Sequence, residues 1–417
     1  MTSVELMTRE FSHIGLRVPK YDAPEKVSGD AQYLLDLEMP GMLYAKVLRS
    51  PYPHARIVSI DVSGALSVPG VIDVITAKDV KLNNLGYLKD HPPLKWGKVR
   101  SVRDEVAAVA AVDPERALEA IHAINVEYEP LPSVTDPLRA LDPGAPLVHE
   151  EFGTNRANLD FSLEFGDVDD AISRADIVVE GTYRTQYVAH NPGDTMGALA
   201  WVDAHGTLNV IANTQTPFLY QRWLAESLGI PAYSIRVIQP YIGGAFGRNL
   251  DVYPHDVIVA ILAMRTRRPV KLQFTRSEEL QNAPTKQPLI ARVRQGATRD
   301  GRLVAREVDA VIDAGAYVGW GVFDARVMQY TVTGLYKVPA VRFRTTVVYT
   351  NNPYTAAMRS AGNSQITFAV ESNTEELAER LGMDPVEFRL LNANAPNTVT
   401  PQGAKITTCA MSDAIRE

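Results

Sequence analysis

Five residues, Gly243-Gly244-Ala245-Phe246-Gly247, follow an apolar run and carry little side chain except at Phe246. Such a loop lets backbone amides approach a ligand closely, and an anion or a polarised oxygen is their natural partner. The same run also suits a tight turn that binds nothing. It lacks the Lys-Ser/Thr of a P-loop and the spacing of a dinucleotide fingerprint. Gln215 stands in Asn213-Thr214-Gln215-Thr216-Pro217. Its amide could donate to an oxo group and accept elsewhere, or be satisfied within its own loop. Arg359 lies in Ala-Ala-Met-Arg-Ser-Ala-Gly-Asn, where small neighbours would let a guanidinium reach a buried anion. A structural ion pair is the alternative. In His190-Asn191-Pro192-Gly193-Asp194, Asp194 either orients a substrate or closes a turn. Glu10, Glu25, Glu38 and the other acidic residues form no recognisable acid–base pair, and no Ser–His–Asp or Cys–His arrangement stands out. The single cysteine, Cys409, excludes an intrachain disulfide and a Cys-based zinc or iron–sulfur site. None of the eight histidines has the i, i+4 spacing of a helical metal site. A metal, if used, must be held by something other than this chain's side chains.

The elements that must position these residues read as α/β. Strand-like runs occupy Ala31–Leu37 and Leu43–Arg49 after a loop around Pro19–Gly29. A buried strand is expected at Glu105–Val112, then a helix opened by Asp113-Pro114 with Ala117, Leu118 and Ile121 on one face, and a returning strand at Ile124–Tyr128. A connector rich in proline, from Pro130 to Gly144, places a domain boundary near 145. Beyond it, Asp167 can cap a short helix before a strand at Ile177–Tyr183. Strand Leu208–Ala212 leads into the Gln215 loop. Thr216-Pro217 reads as the N-cap and first residue of a helix carrying Tyr220, Trp223, Leu224 and Leu228, which Gly229 stops. A strand at Val237–Pro240 feeds the glycine loop, and a helix apolar on most faces follows at Pro254–Met264. Strands near Val304–Ile312 and Ala340–Tyr349 and helices near Ile366–Leu381 and Pro385–Asn392 complete the chain.

The chain has 417 residues, 46% hydrophobic and 22% charged, enough for more than one core. A net charge of −7 argues against a nucleic-acid partner. The basic run Arg265 to Arg268 reads as a solvated helix end. No signal peptide or membrane-spanning stretch is visible, so a cytoplasmic location is expected.

Taken together, the order and spacing of several stretches resemble the molybdenum-binding large subunit of the xanthine dehydrogenase, aldehyde oxidase and carbon monoxide dehydrogenase family. Pro24-Glu25-Lys26-Val27-Ser28-Gly29, Met42-Leu43-Tyr44-Ala45, Arg49-Ser50-Pro51 and Pro53-His54-Ala55-Arg56-Ile57 resemble the opening of its α/β hammerhead domain. Asp104 to Val109 and Val126 to Leu131 resemble that domain's later strands. Thr214-Gln215, the loop Gly243 to Gly247, Tyr349 to Pro353, Arg359 and Leu381 to Pro385 resemble its first cofactor-binding domain. The resemblance implies a hammerhead domain over 1–145 and a first molybdopterin-binding domain over 146–417. It implies that Gln215, Gly244, Ala245, Phe246, Gly247 and Arg359 contact a molybdopterin, in its cytosine dinucleotide form. In the family an electron-poor carbon, in an N-heteroaromatic or an aldehyde, is hydroxylated with water as oxygen source and a Glu as general base.

Three departures shape what this implies. The family normally continues into a second cofactor-binding domain carrying that Glu. A split large subunit is therefore expected, with the base on a partner chain, a [2Fe-2S] subunit and an FAD subunit; a truncated chain is the competing explanation. Next, purine-oxidising members place a substrate-binding Glu just beyond the glycine loop, where this chain has Leu250, which argues against a purine. Arg248 either favours an anionic group or faces solvent. Finally, Ser360 stands where carbon monoxide dehydrogenases have a Cys, and Asp194-Thr195 stands where the family commonly has Glu-Pro. Asp194, Arg248, Leu250 and Ser360 are the expected substrate-pocket residues. A reductive dehydroxylase or hydratase on the same scaffold, and a cofactor-free scaffold or binding subunit, are the rival readings.

Overall fold

The computed structural model describes residues 12–417. The first residues, read for a targeting signal, and Glu10 lie outside that range. Strand Glu105–Ala111 is buried at all seven positions, as its unbroken Ala/Val run predicts. It lies antiparallel between Leu43–Arg49 and Val71–Thr76. Asp113 then caps the helix Pro114–His122: its carboxylate accepts from Arg116 N at 2.7 Å, and Pro114 needs no N–H there. Ala117, Ala120 and Ile121 face the core. Leu118, expected beside them, is exposed, because one helical step of about 100° from Ala117 turns it outward.

Two expectations before residue 40 fail. The segment Ala31–Leu37 is not a strand: Tyr33 makes one bridge to Tyr241, and a 3-10 turn, Leu34–Asp36, follows. Asp36 accepts from Tyr33 N at 2.9 Å and closes that turn, a local bond that competes with sheet pairing. Within the expected loop, Ala23–Ser28 forms a short helix ended by Gly29 at φ +85°. The strand after the Pro114 helix, Asn125–Pro130, does not rejoin the strand before it. It pairs with Ala55–Asp61 in a three-stranded sheet with Lys98–Val99.

A seven-stranded sheet takes strands from both sides of residue 145. Its spatial order is Ile235–Ile238, Leu208–Ala212, Gly197–Val202, Val270–Gln273, Leu43–Arg49, Glu105–Ala111, Val71–Thr76. The join is parallel, with Leu43 opposite Val270. The helix Pro254–Thr266 packs on this sheet and is buried at most positions, matching its apolar sequence. Arg265, at its end, binds the Asp73 carboxylate through Nε and Nη2, so part of the basic run is an ordinary surface ion pair.

A second sheet is five-stranded, in the order Phe161–Phe165, Ala340–Tyr349, Leu303–Gly315, Leu289–Ala297, Ile177–Arg184. The helix Asn363–Leu381 lies across it. A buried polar seam fixes their register: Gln295 Nε2 donates to Asn373 and Thr374, both at 3.0 Å, while Arg306 Nε donates to Gln295 Oε1 at 2.7 Å. Hydrogen-bonded partners make such burial tolerable.

Candidate cofactor-binding site

Four loops converge at the ends of these sheets. They span 190–195, 213–216, 243–250 and 355–362. Four non-glycine residues in them, Asn191, Phe246, Ser360 and Ala361, adopt positive φ, a strained state that persists where surrounding contacts hold it.

Gln215 joins two of the loops. Its backbone N donates to Asn249 O at 2.9 Å, and its side-chain Oε1 accepts from Gly247 N at 2.9 Å. The residue is exposed, and with Oε1 occupied the amide Nε2 is the donor left for a ligand. Thr216, expected as a helix cap, sits at the N-cap position of Pro217–Leu228 but makes no capping bond. Its hydroxyl donates instead to Leu250 O at 3.0 Å, tying the Gln215 loop to the end of the glycine loop. Leu250 is half-buried.

Within the glycine loop, Phe246 turns outward and is 46% exposed, while the Ala245 methyl is buried. Gly247 has φ +111°, and a Cβ there would stand 2.6 Å from Ala357 O. Glycine is therefore required by conformation and by contact. The fourth loop closes against this one: Arg359 N donates to Phe246 O at 2.7 Å. Arg359 and Ser360 are both exposed. Ser360 O accepts from Asn363 N at 2.7 Å and opens the long helix.

Asp194 is a brace. Its carboxylate accepts from Asn213 Nδ2 at 2.9 Å and Gly243 N at 3.3 Å, and its own N donates to Gly243 O at 3.3 Å. Burial pushes its pKa up, against the opposing pull of the Gly243 amide and Arg248.

Arg248 corrects an expectation. It neither faces solvent nor offers a free cation to a substrate: its side chain is fully buried and pairs with Glu279. Nη2 also donates to Asp194 O at 3.1 Å. The tight turn after Gly247 carries the guanidinium beneath the loop, where Glu279 neutralises it. Burial lowers its pKa to about 10, so it stays charged at neutral pH. Glu279 in turn accepts from Met196 N at 2.8 Å.

Three further residues support these loops; His190 was read only as part of its turn-rich run, and the other two were not singled out. Glu279 looks like an ordinary charge on the short helix Arg276–Asn282. Lys286 is buried and donates to Arg359 O at 3.2 Å and to Ser364. His190 Nε2 lies 2.9 Å from Ala357 O, and burial holds its pKa below the usual histidine value. No local signal marks these residues, because each partner is distant in sequence.

The arrangement brings together an exposed amide side chain, a backbone-lined loop and the backbone of an exposed arginine. Among the described residues, no group of three His, Cys, Asp or Glu could hold a metal ion. An amide N–H and loop backbone amides can donate to oxygens of an anionic ligand.

Comparison with known proteins agrees with that chemistry. Residues 148–393 match the molybdopterin cofactor-binding domain, and residues 28–132 match the a/b hammerhead domain of aldehyde oxidase and xanthine dehydrogenase. The chain is 38% identical to the nicotinate dehydrogenase large molybdopterin subunit of Eubacterium barkeri, covering 96% of this chain and 93% of that one. It is 37% identical to a probable xanthine dehydrogenase subunit of Bacillus subtilis, covering 91% of this chain and 51% of that one. The aldehyde oxidoreductase structure from Desulfovibrio gigas superposes with a TM-score of 0.91 at 30% identity, over 95% of this chain and 45% of that one. The chain thus spans about half the length of several relatives it matches. It belongs to the aldehyde oxidase and xanthine dehydrogenase family, with the hammerhead domain and a molybdopterin cofactor-binding domain of that family in a single chain.

Proposed function

We propose that this chain is the molybdenum-cofactor subunit of a multi-subunit oxidoreductase that hydroxylates an electron-poor carbon, in an N-heteroaromatic or an aldehyde, with oxygen from water. One observation carries the reading: the exposed Gln215 commits its carbonyl to Gly247 N, which leaves its Nε2 as a donor for a ligand, on a loop that Arg359 N also bonds through Phe246 O. When bound, the cofactor supplies two-electron oxidation of the substrate carbon. This chain's residues place it. Gln215 donates to a cofactor oxygen, the backbone from Gly244 to Gly247 lies along the cofactor, and Arg359 balances its negative charge. Ser360 and Leu250 border the substrate, while Asp194 and Arg248 hold the loop from below. We divide the chain at 145/146 into the two domains.

The cofactor is the cytosine dinucleotide form of molybdopterin. A second cofactor-binding domain on a partner chain brings the general-base Glu, and [2Fe-2S] and FAD subunits carry electrons away. The relatives' names, a nicotinate dehydrogenase, an aldehyde oxidoreductase and a quinoline 2-oxidoreductase, support this class of substrate. Exposed apolar side chains beside the site support a covering partner: Phe218 is 85% exposed in the first turn after the Gln215 loop, with Leu219 and Phe246 near it in the chain and the site. No helix among the described residues is long and apolar enough to cross a membrane, and we place the complex in the cytoplasm.

Elemental analysis and turnover of the native complex test this. Stoichiometric molybdenum with acceptor-dependent oxidation is expected. A complex without molybdenum overturns the reading, and turnover without an acceptor replaces it with a hydratase.

A further inference from the structure

The Arg359 loop turns through three consecutive residues in the left-handed region: Ser360 at φ +81°, Ala361 at +39° and Gly362 at +82°. Two of them carry a Cβ, so the turn persists only where contacts hold it. Within the loop, Ala361 N donates to Met358 O and Asn363 N to Ser360 O, both at 2.7 Å. These local bonds close the turn without fixing where it sits.

Besides the bond from Arg359 N to Phe246 O, the hold from outside comes from three successive residues, Thr285-Lys286-Gln287. Thr285 O accepts Ala356 N at 2.9 Å, ahead of the turn. Lys286 Nζ donates to Arg359 O at 3.2 Å, at its start, and to Ser364 Oγ in the helix that follows it. Gln287 O accepts Gln365 Nε2 at 3.1 Å, one residue further on. This segment is itself anchored, since Thr285 and Lys286 pair with Ala189 and Val188. Of the three, Lys286 is the one that reaches both sides of the turn. It is 6% exposed, and both of its hydrogen bonds go to neutral oxygens. Burial pushes its pKa down, opposed by the Asp324 carboxyl. That carboxyl is itself pushed up to about 7 by burial, so near neutral pH it offsets only part of the ammonium's charge. A neutral side chain could donate the same two bonds. Burying an ammonium instead is costly unless an anion is near.

We infer that Lys286 is a positioning residue for the reaction proposed above: it clamps the turn from Ser360 to Gly362 so that Arg359 stays at the cofactor, and its charge favours the cofactor's electron-rich state. Lys286 acts through the Arg359 backbone and through its field, without touching substrate. A positive charge in a poorly solvated place attracts added electrons, so its removal makes the centre harder to reduce. This inference rests on the proposed function for the part that concerns the charge. The clamp is a property of the chain itself.

The test compares the native complex with its Lys286→Met, Lys286→Arg and Ser364→Ala variants. Amide hydrogen exchange at residues 360–364 quickens on the order of tenfold in Lys286→Met, as expected for the loss of a charged hydrogen bond, and stays near the parent in Lys286→Arg. Redox titration of the molybdenum signal gives a lower potential in Lys286→Met and the parent's in Lys286→Arg. Ser364→Ala keeps the charge and loses one acceptor, so exchange quickens while the potential stays. Parent-like exchange in Lys286→Met overturns the clamp, and a parent-like potential overturns the role of the charge. If Lys286→Met does not assemble, Ser364→Ala decides the clamp in the same way. Asp324→Asn then decides the charge: it removes the opposing carboxylate and raises the potential, and an unmoved potential overturns that role. A complex without molybdenum defeats the proposed function and the role of the charge with it, while exchange, read without the metal, still decides the clamp.

Discussion

Gln215 and Gly247 work as a pair across 32 residues, one through its side chain and the other through its backbone. Gln215→Glu preserves the acceptor for Gly247 N but removes the donor and adds a negative charge at an exposed position. Turnover should fall on the order of 10²-fold, as when one donor to a developing oxyanion is removed, with molybdenum content and melting temperature unchanged. Unaltered turnover in that variant removes Gln215 from the site. Gly247→Ala tests the other half of the pair. Its Cβ meets Ala357 O at 2.6 Å in a backbone already at φ +111°, so a loss of about 1–3 kcal/mol is expected in denaturant unfolding. A variant as stable as the parent would show that the Arg359 loop yields to the glycine loop and does not define its position.

At the scale of elements, the site rests on ion pairs and carboxyls beneath its loops. The Arg248–Glu279 pair links the glycine loop to the helix Arg276–Asn282. Arg248→Met leaves Glu279 buried and unpaired, which costs about 3–5 kcal/mol. Adding Glu279→Leu should recover much of that loss, since an apolar pair of similar volume often replaces a buried salt bridge at little cost. Equal losses in the single and double variants would contradict the pairing. The Arg359 loop has its own support in Lys286 and Asp324. Burial raises the Asp324 carboxyl from 3.8 to about 7, with Lys286 opposing. The folded protein therefore binds more protons at Asp324 than the unfolded chain between about 3.8 and 7. This group's stabilisation is full below 3.8, declines as pH rises through that window, and is lost above 7. Asp324→Asn should remove that decline, measured as unfolding free energy from pH 4 to 8; an unchanged slope would assign it to another group.

Across the whole molecule, one sheet holds both cofactor loops and hammerhead strands, so the hammerhead segment braces the site without lining it. Strand Leu43–Arg49 lies between Val270–Gln273 and Glu105–Ala111 in that sheet. Phe218, by contrast, projects into solvent in the first turn after the Gln215 loop. Phe218→Asp should weaken co-purification of the partner chain while leaving this chain's circular dichroism and melting temperature as they were. Undiminished co-purification would place the partner elsewhere.

Much of this was legible from local chemistry. Asp113-Pro114 and Asp384-Pro385 each mark a helix start through an aspartate cap and a first-turn proline, and Pro217 marks a third although Thr216 makes no capping bond, because such signals act within a few residues. The order of Gln215, the glycine loop and Arg359 along the chain was enough to suggest the family and its cofactor. Leu118, Tyr33 and Arg248 were not readable in the same way. Leu118 has an apolar type but a solvent position, and Tyr33 lost its strand to one Asp36 bond. Arg248 looked like a free cation until Glu279, 31 residues away in sequence, came to lie beneath it. Residue type and short-range spacing determine where elements begin and what chemistry a loop can do. Which charge is neutralised, which amide end is left over, and which backbone oxygen a buried lysine reaches depend on contacts between distant segments, and only the folded chain decides them.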